Sequence, residues 1–343
     1  MSGSQSLMLS EAGESPQVIA RLLERAGPQW AQLAEAIRTR GISLISTAAR
    51  GSSDHAATVF KYLMEIETGL PVVSIGPSIA SVYKRPLKLG NAMHITVSQS
   101  GASPDILAMQ AAAKAGGALT VAVVNVEDSP VAQAADVVLA LGAGPERSVA
   151  ATKSFIASVV ALAGIAAAAS GDDQLMQGLK RLPEALSATE GLDFQPALRL
   201  LAETRSFYIG ARGPGYGIAL EAALKGKEVA GLHAEAFSLA ELIHGPLQLV
   251  GAGFPVLAFL PDDPGLSGNL ATLKRVQALG AQTIALSSVE VPGLAMRLPG
   301  TGCGLIDPLV GLLVYYRLIE GVARAKGLDP DHPEKLSKVT ETL

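Results

Sequence analysis

The sequence predicts an α/β protein made of two similar halves, each with a parallel sheet and helices on both faces. Short apolar runs alternate with helical stretches along the chain, which is typical of strand–helix–strand units. The alternation restarts in the second half, where Ala211-Arg212-Gly213 follows the first strand as Ala49-Arg50-Gly51 does in the first half. The length of 343 residues accommodates two domains of about 150 residues each.

In the first half, residues 1–15 are expected to form a flexible polar leader. A helical pattern follows from about Pro16 to Arg38, with a break near Gly27-Pro28. The predicted strands are Ile42–Thr47, Val72–Ser74, His94–Val97, Leu119–Val124 and Val137–Leu141. The predicted helices run from Gly51-Ser52-Ser53 to about Glu67, over 104–115 and over 153–169.

The second half repeats this plan. Its predicted elements are a strand at Phe207–Gly210, a long helix after Arg212-Gly213, strands at Pro255–Leu260 and around 282–285, and a helix over about 305–326. The segment Gly280–Ala285 aligns with Gly117–Ala122 of the first half. We interpret the pattern as an internal duplication with a linker near 171–200.

Composition narrows the class of protein. Hydrophobic residues make up 49% of the chain and charged residues 17%, which favours a large folded core over disorder. A net charge of −4 without a long basic run argues against a nucleic-acid partner. The start of the chain has no secretory pattern and the longest apolar run, Phe155–Ala169, is short for a membrane span, so we expect a cytoplasmic protein without a membrane partner. The single cysteine, Cys303, is expected to be buried.

The first candidate site lies where two predicted strands end. The turn 98–104 is rich in hydroxyl groups, with Ser103 at the N-cap position of the next helix and Pro104 at its first turn. Free N–H groups and hydroxyls suit a phosphate, although the segment could equally be an ordinary polar turn. Ser52 and Ser53 follow the preceding strand, and ligands of open parallel sheets bind at the carboxyl ends of strands.

The second candidate site lies on the long helix of the second half. Glu221, Lys225 and Glu228 form one narrow stripe because their spacing is i, i+4 and i+7. Such a stripe is most often a solvated ion pair. Gly226, however, costs helix stability at this position, and a close neighbour or a ligand would explain it.

Two further candidate residues lie near the end of a predicted helix and near the end of the chain. His244 is predicted at the C-terminus of a short helix, for which Ser238 and Glu241 have capping-box spacing. An imidazole there suits acid–base chemistry, and a purely structural histidine is as common. Lys338 lies near the C-terminus, where a solvated charge is the default interpretation.

Together these segments resemble the SIS-domain phosphosugar isomerases, in particular the isomerase half of glucosamine-6-phosphate synthase and the SIS-type glucosamine-6-phosphate deaminases. The resemblance extends from about Met8 to Leu343 and rests on these motifs: Arg50-Gly51-Ser52-Ser53, Ser98-Gln99-Ser100-Gly101, Val149-Ala150-Ala151-Thr152-Lys153, Ala219-Leu220-Glu221 through Lys225 and Glu228 to His233-Ala234-Glu235-Ala236, Glu241 and His244-Gly245-Pro246, and Leu336-Ser337-Lys338-Val339-Thr340. It implies two tandem SIS (flavodoxin-like) αβα subdomains, each with a mainly five-stranded parallel sheet. Its implied boundaries are a leader and helix over 1–38, SIS domains over 39–175 and 195–328, and an active-site tail over 329–343.

The resemblance also implies residue roles. The implied substrate-binding residues are Ser52, Ser53, Ser98, Gln99, Ser100, Ser103, Val149, Ala150, Ala151, Glu221 and Ser337. Glu228 would move a proton between C2 and C1, and His244 would open the sugar ring from a second subunit. Lys225 and Lys338 complete the implied catalytic group, in a homodimer with shared active sites. The chemistry requires no metal, nucleotide or redox cofactor.

The sequence departs from the synthase pattern in three ways. It has no glutaminase domain with a nucleophilic cysteine, Ala151 stands in place of a serine, and Ser337 stands in place of an alanine. The first departure favours ammonia release, so we expect conversion of glucosamine 6-phosphate to fructose 6-phosphate. Other readings stay open: an isomerase or deglycase for another 6-phosphosugar, an ammonia-dependent synthase, or a non-catalytic phosphosugar sensor.

Overall fold

The structure is a computed structural model that describes residues 5–171 and 173–338. The described chain divides into two compact units. The N-terminal unit comprises residues 17–146, 153–171 and 173–180, and the C-terminal unit comprises residues 5–16, 147–152 and 181–338.

The N-terminal unit is built on a five-stranded sheet. Its strands are β1 (Leu44–Ala48), β2 (Val72–Ser74), β3 (Ala92–Ser98), β4 (Leu119–Val124) and β5 (Val137–Ala140). All neighbours pair in parallel in the order β2-β1-β3-β4-β5. Every residue of β3 and β4 is buried, as parallel strands covered by helices require.

The C-terminal unit repeats this sheet. Its strands are β6 (Ser206–Ala211), β7 (His233–Ser238), β8 (Pro255–Leu260), β9 (Gln282–Ser287) and β10 (Leu294–Arg297). The parallel order β10-β9-β8-β6-β7 places β6 to β10 where β1 to β5 lie in the N-terminal unit. The predicted duplication and the α/β fold class are therefore confirmed, and each sheet has the flavodoxin-like order.

Helices connect the strands. They are α1 (Leu7–Gly13), α2 (Ser15–Arg25), α3 (Gly27–Thr39), α4 (Ser52–Thr68), α5 (Ser78–Ser81), α6 (Pro104–Ala115), α7 (Pro130–Ala134), α8 (Lys153–Ser170), α9 (Asp173–Ser187), α10 (Gln195–Ala202), α11 (Gly215–Ala230), α12 (Leu266–Ala278) and α13 (Pro308–Ala325). The helices α4, α6, α11 and α13 begin within a few residues of the positions that the sequence predicts.

Helix α8 is a core helix of the N-terminal unit. It has the length and hydropathy of a membrane span, with a mean hydropathy of 1.7, yet 83% of that window is buried inside the protein. The indole Nε1 of Trp30 on α3 donates a hydrogen bond to the carbonyl of Ala161 at 2.9 Å, which fixes the two helices against each other. The prediction of a buried helix is confirmed, and Cys303 is also buried, at 2% exposure.

The expectation of a flexible leader is wrong. The leader is helical over α1 because Ser6 caps it, its hydroxyl accepting from the Leu9 N–H, and because Met8 and Ala12 are buried. The edge strands β7 and β10 were missed since they carry no β-branched residues, which are the usual sequence signal of a strand. Helices α9 and α10 lie in the stretch near 171–200 that separates the two predicted halves.

Candidate functional site

Two hydroxyl-bearing segments meet at the carboxyl edge of the N-terminal sheet. β1 and β3 are adjacent and parallel, and the chain leaves them in opposite directions along the sheet. Ser52 and Ser53 open α4 directly after β1, and the turn 98–103 follows β3. Both segments therefore lie at a switch point of the sheet, which is where ligands of open α/β sheets bind.

The turn after β3 is internally ordered. The Ser98 hydroxyl accepts from the Gly101 N–H at 3.0 Å, and the Gln99 carbonyl accepts from the Asn125 N–H at 3.2 Å. Gly101 has φ +60°, and a Cβ at this position would lie 2.1 Å from the Ser129 Oγ, so the turn requires glycine. Ser100 and Ser103 are half-buried at the same turn.

Helix α6 begins as the sequence predicts, with Ser103 at its N-cap position and Pro104 in its first turn. The Ser103 side chain makes no capping hydrogen bond. The hydroxyl is therefore not committed to the helix that it precedes, which leaves that helix start suited to an anionic group.

An ion pair links the two segments. The Arg50 guanidinium donates to the Asp105 Oδ2 from Nε at 3.0 Å and from Nη2 at 2.8 Å. The Asp105 side chain is fully buried, whereas 54% of the Arg50 side chain is exposed. Arg50 therefore offsets a buried negative charge at the start of α6, where Asp105 would otherwise repel an anion.

The segment with Val149, Ala150 and Ala151 belongs to the C-terminal unit. Ala150 is buried, and Val149 and Ala151 are half-buried. The Glu11 carboxylate lies beside this segment and accepts from the N–H groups of two residues that precede it. The backbone of the segment is thus held by a side chain more than a hundred residues away in the sequence.

In the C-terminal unit, Glu221, Lys225 and Glu228 form a connected cluster on α11. The Lys225 Nζ lies 3.3 Å from the Glu221 Oε1 and 2.5 Å from the Glu228 Oε2. The side chains of Glu221 and Lys225 are 0% and 1% exposed, and that of Glu228 is 22% exposed. The stripe is therefore a buried cluster with one carboxylate at its accessible end, and the solvated interpretation is wrong.

The environment of Lys225 keeps it charged. Burial lowers the pKa of Lys225, but the nearby Glu221 and Glu228 carboxylates raise it by more, so its pKa lies above the ordinary value. The pKa of Tyr315 lies well above its usual range, first because the ring is buried and second because Glu221 is negatively charged. Lysine in this setting supplies positive charge and does not act as a base at neutral pH.

Gly226 lies where α11 packs closely against β7 and α13. A Cβ at this position would lie 2.8 Å from the Ala234 Cβ and 3.2 Å from the Tyr315 hydroxyl. The expected close neighbour is therefore present, on β7 and α13 of the same unit.

His244 lies at the surface. It ends a short 3₁₀ helix, Glu241–His244, whose N-cap is Ala240 and which has no side-chain capping bond. The predicted Ser238 capping box is absent because Ser238 is the last residue of β7. His244 lines a surface depression of about 520 Å³. Leu249, which follows it in the sequence, is 67% exposed.

The described tail ends at Lys338. Lys338 is half-buried and Ser337 is exposed. The predicted tail residues 339–343 lie outside the described residues. Earlier in this segment, Asp331 accepts hydrogen bonds from the start of α1, so the tail is joined to the N-terminal helix of the same unit.

Sequence reasoning missed Asp105 and Glu11. Asp105 carries no sequence signal beyond its place in the first turn of a predicted helix. Glu11 lies in the segment expected to be a flexible leader, and its partners are separated from it by 136 and 137 positions. Neither contact could be inferred from spacing along the chain.

The chain belongs to the SIS domain family, whose sequence pattern matches residues 43–168 and 200–291. It is homologous to the isomerase half of glutamine–fructose-6-phosphate aminotransferase. It is 34% identical to that enzyme of Methanothermobacter thermautotrophicus over 98% of this chain, and 36% identical to that of Thermotoga maritima over 84%. The aligned part is 57% and 50% of those two relatives, so the chain spans about half of their length.

Solved structures agree in fold. A candidate phosphosugar isomerase from Silicibacter pomeroyi DSS-3 has a TM-score of 0.89 at 40% identity, over 95% of this chain and 100% of that one. The C-terminal domain of glucosamine-fructose-6-phosphate aminotransferase from Francisella tularensis has a TM-score of 0.86 at 26% identity, over 96% and 98%. The glucosamine-6-phosphate deaminase of Thermotoga maritima has a TM-score of 0.76 at 20% identity, over 98% and 100%, and shows the shared fold.

Proposed function

We propose that this protein is a phosphosugar isomerase that converts glucosamine 6-phosphate to fructose 6-phosphate and ammonia. The observation that carries the proposal is the cluster on α11, in which the buried Lys225 ammonium fixes the one accessible carboxylate, Glu228. A carboxylate held in this way suits proton transfer at carbon. The homology to enzymes that use fructose 6-phosphate supports the choice of a 6-phosphosugar.

The proposed chemistry begins with the open-chain aldehyde of the sugar. Glu228 removes the C2 proton, a C1–C2 double bond forms, and the aldehyde oxygen takes a proton from water, so the product is an enolamine. Glu228 then returns its proton to C1, which leaves a hydroxymethyl group at C1 and a protonated imine at C2. Water adds to C2 and ammonia leaves, so the products are fructose 6-phosphate and ammonia.

The phosphate is assigned to the carboxyl edge of the N-terminal sheet. The segments that begin with Ser52 and Ser98 offer hydroxyls, and the α6 N-terminus offers N–H groups. Arg50 neutralises the Asp105 carboxylate, which would otherwise repel an anion at this helix start. A phosphate group is the ligand that this combination of donors suits best.

Two further roles rest on the resemblance to the family. His244 opens the sugar ring in the active site of a second subunit, so the protein acts as a homodimer. His244 and Leu249 are both exposed, which suits contact with another chain. Mixing inactive Glu228→Gln and His244→Asn chains should then restore activity, whereas no recovery after verified subunit exchange would contradict shared sites.

One assay tests the proposed reaction. The purified protein is incubated with glucosamine 6-phosphate, and ammonia and fructose 6-phosphate are measured together. Equal amounts of both products are expected. The reverse mixture, fructose 6-phosphate with ammonium, distinguishes an amination enzyme. Tagatose, glucose and glucoselysine 6-phosphates test the isomerase and deglycase alternatives, and binding without turnover of any sugar would favour a sensor.

A further inference from the structure

Carboxylate hydrogen bonds join both ends of helix α1 to other segments of the C-terminal unit. At its start, the N–H groups of Leu7 and Met8 donate to the two oxygens of Asp331, at 2.7 and 2.8 Å. The Ser6 hydroxyl donates to the Glu320 Oε1 at 2.7 Å. These bonds satisfy N–H groups that a helix start leaves without partners, and they fix α1 against the segment that leads to Lys338.

At the other end, α1 presents a buried carboxylate to the backbone. The Glu11 Oε1 accepts from the Arg147 N–H at 2.5 Å, and Oε2 accepts from the Ser148 N–H at 3.2 Å. Glu11 is only 5% exposed, so the charge depends on donors of this kind. Two consecutive N–H groups on one carboxylate fix the direction of the chain as it enters Val149–Ala151.

We propose that Glu11 is a positioning residue that sets the conformation of Val149–Ala151 for substrate, and that α1 couples this segment to the tail through Asp331. The inference rests on the proposed function, since it assigns Val149–Ala151 to the phosphosugar. A purely structural Glu11 would lower stability and leave substrate affinity unchanged. A positioning Glu11 changes affinity, because the segment then samples orientations that do not bind.

The experiment compares Glu11→Gln with Glu14→Gln, an exposed carboxylate from the end of the same helix. Steady-state kinetics are measured with glucosamine 6-phosphate, and binding of fructose 6-phosphate is measured by calorimetry in a Glu228→Gln background, in which turnover is removed. Glu11→Gln should raise KM and the dissociation constant by about tenfold, with kcat within about threefold of the wild type. Glu14→Gln should leave KM and the dissociation constant unchanged.

The coupling between the tail and Val149–Ala151 is tested with Asp331→Asn, which does not replace Glu11 or the residues that donate to it. This variant should also raise KM, and the double variant with Glu11→Gln should raise KM by less than the product of the two single effects, since both act through α1. Asp331→Asn also provides the test if Glu11→Gln does not fold. Amide hydrogen exchange at Arg147 and Ser148 should become faster in both variants without any ligand.

The outcomes separate the two proposals. A wild type that turns over substrate, together with a Glu11→Gln variant that only melts earlier, would overturn the positioning role and leave the proposed function intact. If the increase in KM of the double variant equals the product of the two single increases, the coupling through α1 is overturned. A wild type that neither binds nor converts a 6-phosphosugar would overturn the proposed function and, with it, the assignment of Val149–Ala151 to substrate.

Discussion

Lys225 holds Glu228 from the buried side of α11, with its Nζ 2.5 Å from the Glu228 Oε2. Its second partner, Glu221, is completely buried. One lysine therefore neutralises a carboxylate that water cannot reach and orients another that solvent can reach. Because the pKa of Lys225 lies above its ordinary value, this arrangement persists at neutral pH.

Removing the lysine should be costly. Lys225→Met leaves Glu221 buried without its cation, and we expect a loss of about 3–5 kcal/mol in the free energy of unfolding. The double variant Lys225→Met/Glu221→Gln should recover much of this loss, because the buried charge is gone. Chemical denaturation measures both, with the exposed Lys326→Met as a control. A single variant as stable as the control would contradict the buried ion pair.

Gly226 should not tolerate alanine. The added Cβ would lie 2.8 Å from the Ala234 Cβ, and the resulting strain of about 1–3 kcal/mol outweighs the gain of about 1 kcal/mol in helix propensity. Gly13→Ala is the matched control, since a Cβ there meets no atom within 4 Å. Thermal melting should show a lower Tm for Gly226→Ala alone, and an unchanged Tm would mean that α11 can move away from β7.

His94 should make the protein sensitive to acid. It is fully buried in β3 beside the Ser46 hydroxyl, 2.9 Å from its Nδ1, and burial lowers its pKa from 6.5 to about 4. Between these values the unfolded chain binds more protons than the folded protein, so stability is lost as the pH falls from about 6.5 to 4. The full difference corresponds to about 3 kcal/mol.

The comparison with His94→Gln isolates this contribution. Denaturation at pH 7 and pH 4 should show a larger loss of stability for the wild type than for the variant, because glutamine does not titrate. The absolute stability at pH 7 can differ between the two proteins, so the change with pH is the quantity compared. An equal change in both would assign the acid sensitivity to other groups.

Deleting residues 336–343 should abolish catalysis and barely change thermal stability. The resemblance to the family assigns Lys338 to the catalytic group, and loss of a positioned group costs about a hundredfold or more in kcat/KM. The exposed Leu336 contributes little to the core, so Tm should be nearly unchanged. Lys338→Ala should reproduce the loss and Lys335→Ala should not. Full activity after the deletion would contradict a catalytic role for the tail and favour the interpretation of Lys338 as a solvated charge.

The duplicated architecture could be predicted because its signal is local. Buried strands such as β4 and β8 are continuous apolar runs with turn residues at their ends, and the sequence predicts both with the observed bounds. The edge strand β7 alternates polar and small residues and takes its conformation from pairing with β6, which no local pattern encodes. Helix α1 likewise depends on a cap and on partners far along the chain.

The candidate site also has features that the sequence predicts and features that depend on distant contacts. The spacing of Glu221, Lys225 and Glu228 predicts one stripe on one helix, and the structure joins all three. Whether such a stripe is buried depends on the elements packed around α11, so spacing alone favoured the wrong, solvated interpretation. The contact between Arg50 and Asp105 could not be predicted from spacing. It requires β1 and β3 to be neighbours, which follows from the topology of the sheet.

If Glu228 moves a proton between C2 and C1 of a 6-phosphosugar, hydrogen exchange in heavy water should reveal the transfer at carbon. Fructose 6-phosphate is incubated with the protein in D₂O, with and without ammonium, and proton NMR monitors C1 and C2 of the sugars. The wild type should introduce deuterium at carbon, and Glu228→Gln should introduce none while still binding the sugar within about tenfold of the wild-type affinity. Deuterium incorporation by Glu228→Gln at the wild-type rate would contradict proton transfer by Glu228.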